Sequence, residues 1–133
     1  MGTSLFLMLA MRRSLFLIAV IFFAACNTPE KQIEEAAYNY SIAMSNYRVS
    51  EAEQYCTDET RNTTLSRAYV LMGMVDSAYV ASDTPASIDI LGVRMVSDTV
   101  AWVRYHKMSP LTNYIDSIEV RKRNGIWLVH TPL

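Results

Sequence analysis

From Thr28 onward the hydrophobic rhythm of the chain changes once, and that change separates helices from strands. Ile33, Ala36, Ala37, Tyr40, Met44 and Tyr47 recur at three- and four-residue steps, which is the apolar stripe of an amphipathic helix. Glu34, Glu35, Asn39 and Ser45 take other faces, while Tyr38 and Ile42 widen the apolar side. Thr28 followed by Pro29 reads as an N-cap and a first helical residue, with Glu30 in the first turn, where the helix dipole favours negative charge. The helix is expected to run to about Asn46. Ser50 and Glu53 fit a capping box that opens a short second helix through Tyr55 and Cys56. Thr57 or Asp58 can cap a third, carried by Leu65, Ala68, Tyr69, Met72 and Val75. Gly73, if interior, weakens that helix by about 1 kcal/mol relative to alanine. Asp83-Thr84-Pro85 then breaks the helical region.

Beyond it the pattern is β-branched and alternating. Ile88 to Val96 and Thr99 to Met108 read as strands around a Ser97-Asp98 turn, and Ser109 to Asn113, with Pro110, reads as a loop. Tyr114 to Arg123 alternates, with Tyr114, Asp116, Ile118, Val120 and Lys122 on one side. Asn124-Gly125 is a strong hairpin signal, because a type I′ turn needs two positive φ angles. Ile126 to Thr131 closes that hairpin. The turn fixes the register: Arg123 faces Ile126, Val120 faces Val129 and Glu119 faces His130. Ile118, Val120, Trp127 and Val129 then share the core face. Ile126 and Leu128 fall on the opposite face, which is therefore not fully polar and can cover a groove or a partner. A two-residue turn at Ser97-Asp98 sets Asp89 across from His106, on the face of Arg104. Helices first and antiparallel strands later make an α+β fold, N-terminal helices packed on a curved antiparallel sheet.

The start of the chain is different in kind. Arg12 and Arg13 precede an apolar run from Leu15 to Phe23, broken only by Ala19. This is the basic start and short apolar middle of a secretory signal. It is too short to span a bilayer comfortably, which takes roughly 20 residues. Phe23-Ala24-Ala25-Cys26 resembles the lipobox of bacterial lipoprotein precursors, with Phe23 in place of the usual aliphatic residue. The resemblance implies cleavage before Cys26 and acylation of its sulfur. Stable anchoring takes more than one chain, at about 0.8 kcal/mol per buried methylene. The expected organisation is a lipoprotein signal peptide over residues 1–25, a lipidated tether over 26–30 and one domain over 31–133. Met11, directly before Arg12, makes a better start than Met1. Asn27 is not the aspartate that often retains lipoproteins at the inner membrane, so the outer membrane is the expected address.

Composition narrows the chemistry. Without Arg12 and Arg13, ten basic residues face thirteen acidic ones, which leaves no basic surface for nucleic acid. Arg121-Lys122-Arg123 is too short a run to change that. With Cys26 acylated, Cys56 is either buried or paired between molecules, and burial is the plainer reading. Two histidines and one free cysteine offer no metal-ligand spacing, and no cofactor is expected. Asn62-Thr63-Thr64 matches a glycosylation acceptor, incidental in a bacterial lipoprotein.

The helix with Ala36-Ala37 and Tyr40, the run Asn46-Tyr47-Arg48-Val49-Ser50-Glu51-Ala52, and the closing Asn124-Gly125-Ile126-Trp127-Leu128-Val129 resemble the nuclear transport factor 2-like (cystatin-like) superfamily. Within it, the chain is similar to small bacterial lipoproteins of unknown function. That resemblance implies a long first helix wrapped in a bent sheet, a cone with a cavity, and Tyr40, Trp102, His106 and Trp127 as candidate pocket residues. The alternative is that these aromatics fill the core. The expected function is a membrane-anchored, non-catalytic binding or scaffold module in the cell envelope. Its partner is a small apolar ligand, an envelope protein or a second copy in a homodimer. Some superfamily members are isomerases or dehydratases, which makes Asp89, Tyr105, His106 and Asp116 the residues to weigh for catalysis. A structural accessory of an envelope complex is a third reading. No family catalytic motif carries over.

Overall fold

The computed structural model describes residues 27–133. The expected signal, its cleavage site and Cys26 lie outside the described residues. By contacts the chain divides after Lys31, and Gln32–Leu133 form one unit that holds the sheet and its core. Among the described residues no helix is long and apolar enough to cross a membrane.

Helix α1 spans Pro29–Ser45, and Thr28 Oγ1 accepts a hydrogen bond from the Lys31 amide at 3.3 Å, the expected N-cap. Its buried stripe is Ile33, Ala36, Ala37, Tyr40 and Ala43, with Met44 partly covered. Tyr47 does not continue the stripe. It sits beyond the helix at φ 61°, in the left-handed region usually left to glycine. The Arg48 amide donates to Ala43 O and the Tyr47 amide to Met44 O, the paired bonds of a Schellman stop.

That stop hands the chain directly into α2, Val49–Ala52, whose cap position is Arg48 with no side-chain capping bond. The expected capping box is therefore not made. Ser50 already lies inside the helix, and the amides of Glu51 and Ala52 donate to the Arg48 carbonyl. A 3₁₀ turn follows over Glu53–Tyr55. Cys56 is extended rather than helical, and forms a parallel bridge to Val129. Its thiol is free and buried. Thr57 caps α3, Asp58–Thr60, by accepting from the Thr60 amide at 3.4 Å. A π-helical stretch, Arg61–Leu65, joins α3 to α4, Ser66–Met72. Gly73 is the C-cap of α4, so it ends the helix and does not weaken its interior. Helix α5, Ser77–Ser82, has no counterpart in the sequence reading; Asp76 caps it by accepting from the Ala78 amide at 3.0 Å.

The sheet is antiparallel in the order β1-β2-β3-β4: Ser87–Met95, Val100–Met108, Asn113–Arg123 and Ile126–Val129. Asn124 at φ 52° and Gly125 at φ 79° make the expected two-residue turn, and Arg123 faces Ile126 while Val120 faces Val129. The His130 amide donates to Glu119 O, which extends that register. The β1–β2 connection differs from expectation. The Val96 and Ser97 amides both donate to Val100 O, leaving Ser97, Asp98 and Thr99 in the turn. A bulge between Ile90 and Gly92 then takes up the extra residue. Asp89 still faces His106, but between bulge and turn every pair is displaced by one. Ile88, Val103, Ile118, Val120, Trp127 and Val129 pack with the α1 stripe into one apolar core. Burying a side chain of this size contributes about 1.5–3 kcal/mol.

Candidate functional site

Where α1 crosses the far end of β2 and β3, the core opens into a pocket of about 140 Å³. Alternation along β2 sends Tyr105 and Lys107 inward, and β3 adds Tyr114 and Ile118 from the same face. Helix α1 closes the other side with Tyr40, Ser41, Met44 and Ser45. Lys107 is buried, and its Nζ lies 5.7 Å from the centre of the Tyr114 ring, within range of a cation–π contact. Tyr105 meets Tyr114 edge to face at 6.5 Å. Apart from Met44 and Ile118, the lining is phenols, serine hydroxyls and one ammonium. The pocket therefore offers one charged donor and a set of hydroxyls that can donate or accept, not the apolar wall expected for an apolar ligand.

Two of the phenols, Tyr105 and Tyr40, are shifted away from ionisation. Burial pushes Tyr105 up, reinforced by Tyr114 and Asp116. Burial also raises Tyr40, partly offset by a hydrogen bond with Thr131, and Cys56 raises it further. Asp83, which is 1% exposed, lies close enough to feel the charge of Lys107. The Tyr47 hydroxyl donates to its Oδ2 at 2.7 Å and the Ser109 hydroxyl to its Oδ1 at 2.6 Å. The Ser109 bond, then the Tyr47 bond, hold this carboxyl below the usual carboxylate range; nearby Lys107 adds to the effect. The same contact explains Tyr47: its left-handed backbone is held by a side chain fastened to Asp83. Burial and then Asp83 raise the Tyr47 phenol. Asn46 completes the seam, accepting from the Ala86 amide at 2.8 Å and donating to Ala86 O at 3.2 Å, as a strand would.

The four residues expected to share a pocket are separated by the sheet. Tyr40 lines the inner pocket. Trp127 is on the same face but in the core, 5% exposed, and its Nε1 has no partner among the described residues. Trp102 and His106 point to the opposite face, because even-numbered positions of β2 face outward there. His106 Nε2 lies 2.5 Å from Asn113 Oδ1. Asp89 is exposed on that outer face, across from His106. Asp116 is the direct partner of Tyr105, exposed at the rim of the inner face. Sequence reasoning missed Lys107 and Asp83. Lys107 was detectable as a charge at an inward position of β2; nothing local marks Asp83. Among the described residues no cluster of His, Cys, Asp or Glu could hold a metal ion.

No protein-family model and no curated protein matches the chain. Two solved structures share its fold. One is a Campylobacter jejuni protein described as an NTF2-like transpeptidase, 14% identical, with a TM-score of 0.53 over 72% of this chain and 94% of that one. The other is a ketosteroid isomerase-like protein from Erwinia carotovora atroseptica, 16% identical, with a TM-score of 0.50 over 77% of this chain and 92% of that one. The chain therefore has the nuclear transport factor 2-like α+β fold, as the resemblance of its sequence implies. At these identities the likeness is one of fold, and fold does not carry activity.

Proposed function

We propose that the protein is a lipid-anchored binding module of the bacterial cell envelope, and that its inner pocket takes a small ligand rich in acceptor atoms, such as a carboxylate. The observation that carries this reading is the buried ammonium of Lys107, grouped with the hydroxyls of Tyr40, Tyr105 and Tyr114 around one opening between helix and sheet. Two features favour binding over proton transfer. The phenols of Tyr40 and Tyr105 are shifted away from the ionised form a base requires. Asp83, whose carboxylate feels the charge of Lys107, has both oxygens occupied by Tyr47 and Ser109. The pairing of Tyr105 with Asp116 supports a second reading, a phenol and a carboxylate acting together on a substrate as acid and base.

The anchor is tested by labelling the full chain with palmitate in a bacterial host. Wild type should carry label and sediment with membranes, and Cys26→Ser should carry none. Unlabelled wild-type protein would remove the anchor. The pocket is tested by thermal shift with small carboxylates: the midpoint should rise for wild type and not for Lys107→Met. Equal shifts in both would reject the pocket, and turnover that disappears in Asp116→Asn would favour the second reading.

A further inference from the structure

The outer face of the sheet carries a second, unrelated feature. Leu91, Gly92, Val93, Arg94, Trp102, Arg104 and Ser117 line a depression of about 420 Å³. Its shape follows from the register. Gly92 faces Arg104, and Arg104 faces Ser117 on its other side, so the central row has one long side chain between two small ones. Nothing lies within 4 Å of where a Gly92 Cβ would stand. Arg94 faces Trp102, which forms the adjoining row. Without the bulge at Leu91, a two-residue turn would set Arg94 opposite Ala101, on the buried face. The bulge turns it outward beside Trp102. Diagonal neighbours across two strands stand about 7–8 Å apart, close enough for two guanidinium groups to converge on one anion.

Those two guanidinium groups are unpaired among the described residues. Arg48, Arg61, Arg121 and Arg123 each lie within 3.2 Å of a carboxylate oxygen. Glu119, the carboxylate opposite Trp102, is taken by Arg121 at 2.9 Å. Two uncompensated cations therefore sit beside an indole that is 37% exposed, on a chain whose net charge is negative.

We propose that this depression binds an anionic ring, a flat ring face stacked on Trp102 with its carboxylate held by Arg94 and Arg104. Indole faces accept aromatic rings and the apolar faces of sugars alike, so the ring belongs either to an aromatic acid or to a sugar acid of a glycan. The site is distinct from the inner pocket, and Lys107→Met should leave it intact.

The test is NMR titration of the full chain in non-ionic detergent, following the indole N–H signals, with Trp127 as internal reference. One arm uses 2-naphthoate against 2-naphthylmethanol; the other uses digalacturonate against a neutral disaccharide. The Trp102 signal should move saturably with one acid, not with its neutral counterpart, and binding should weaken about tenfold in Arg94→Gln and in Arg104→Gln. The arm that responds identifies the source of the ring. The proposal is overturned if neither acid moves Trp102 at about 10 mM, if the neutral compounds act equally, if both arginine variants bind like wild type, or if the chain self-associates with Trp102 shielded by a second copy.

Discussion

The two faces of one sheet have been put to opposite uses. On the inner face Ile88, Ala101, Val103, Ile118, Val120, Trp127 and Val129 are sealed against Ile33, Ala37, Tyr40 and Ala43. On the outer face the same strands expose Leu91, Trp102, Ile115 and Ile126, with Arg94 and Arg104 unpaired among them. The residue types overlap: each face has a tryptophan. What differs is the parity each strand inherits from its register. Trp102 and Trp127 are both candidate pocket residues in the sequence, yet Trp102 is an exposed surface and Trp127 a structural member, as the hairpin register places it. Stability should therefore be concentrated on one face and ligand chemistry on the other, except at the inner pocket, where Lys107 brings charge to the covered side.

The sharpest way to break this comparison is to truncate both tryptophans. Trp127→Ala should destabilise the fold by about 3–5 kcal/mol, while Trp102→Ala should change stability by no more than about 0.5 kcal/mol. Chemical denaturation of both variants measures the difference, and similar losses would erase the distinction between faces. Trp127→Phe refines the point. It shrinks the ring but also removes an N–H that has no partner among the described residues, so it should cost much less than the alanine variant.

Next in size is the seam that joins the covered face to its helix. Asn46→Ala removes both side-chain bonds to Ala86 at the entrance to β1. Because Ala86 is buried, its amide and carbonyl would lose their partner, and we expect a loss of about 2 kcal/mol. Hydrogen exchange should show it first at the start of β1. Smaller again is Gly125→Ala, at about 1 kcal/mol. A Cβ there has open space around it, so the cost comes only from the positive φ of the turn that sets the β3–β4 register.

These expectations also show which parts of the molecule can be seen in the chain alone. The inner face was legible because period-two alternation in β3 and the Asn124-Gly125 turn act locally, and together they fix Val120 against Val129. The α1 stripe was legible for the same reason. The pairing of Asp89 with His106 was anticipated, but on the premise of a two-residue turn. The real turn is one residue longer, and the bulge at Leu91 cancels it only beyond Ile90. Between the two, Arg94 changes face, which alternation within one strand does not reveal. Asp83 was hidden for a stronger reason. Its partners Tyr47 and Ser109 are 36 and 26 residues away, on opposite sides of it in the chain. Helix α5 carried a usable signal, Asp76 before Ser77, that the helical reading passed over.

The smallest predicted effect lies where the outward side of the sheet becomes covered. His130 follows β4 at an outward position, yet its Nδ1 lies 2.9 Å from Thr57 Oγ1, beneath the cap of α3. Thr57 and Thr60 are buried there and bond each other, and the Thr131 amide donates to Thr60 Oγ1 at 2.8 Å. Burial, then Arg121, lower the His130 pKa from 6.5, with Arg123 acting the same way and Glu119 and Glu59 opposing. The sign follows from proton binding. As pH falls below 6.5 the unfolded chain takes up a proton that the folded chain resists, so stability declines until the folded value is passed. Above 6.5 the contribution is fully present. Because His130 is partly open to solvent, the change should stay below about 1 kcal/mol. Asp83 acts separately: its lowered pKa places its own loss near and below the ordinary aspartate value of 3.8. Denaturation between pH 7.5 and 5 should therefore show a shallow decline in wild type and a flatter line in His130→Gln. An unchanged slope in that variant would assign the pH dependence elsewhere, and would leave the covered edge of the sheet electrostatically no different from its open face.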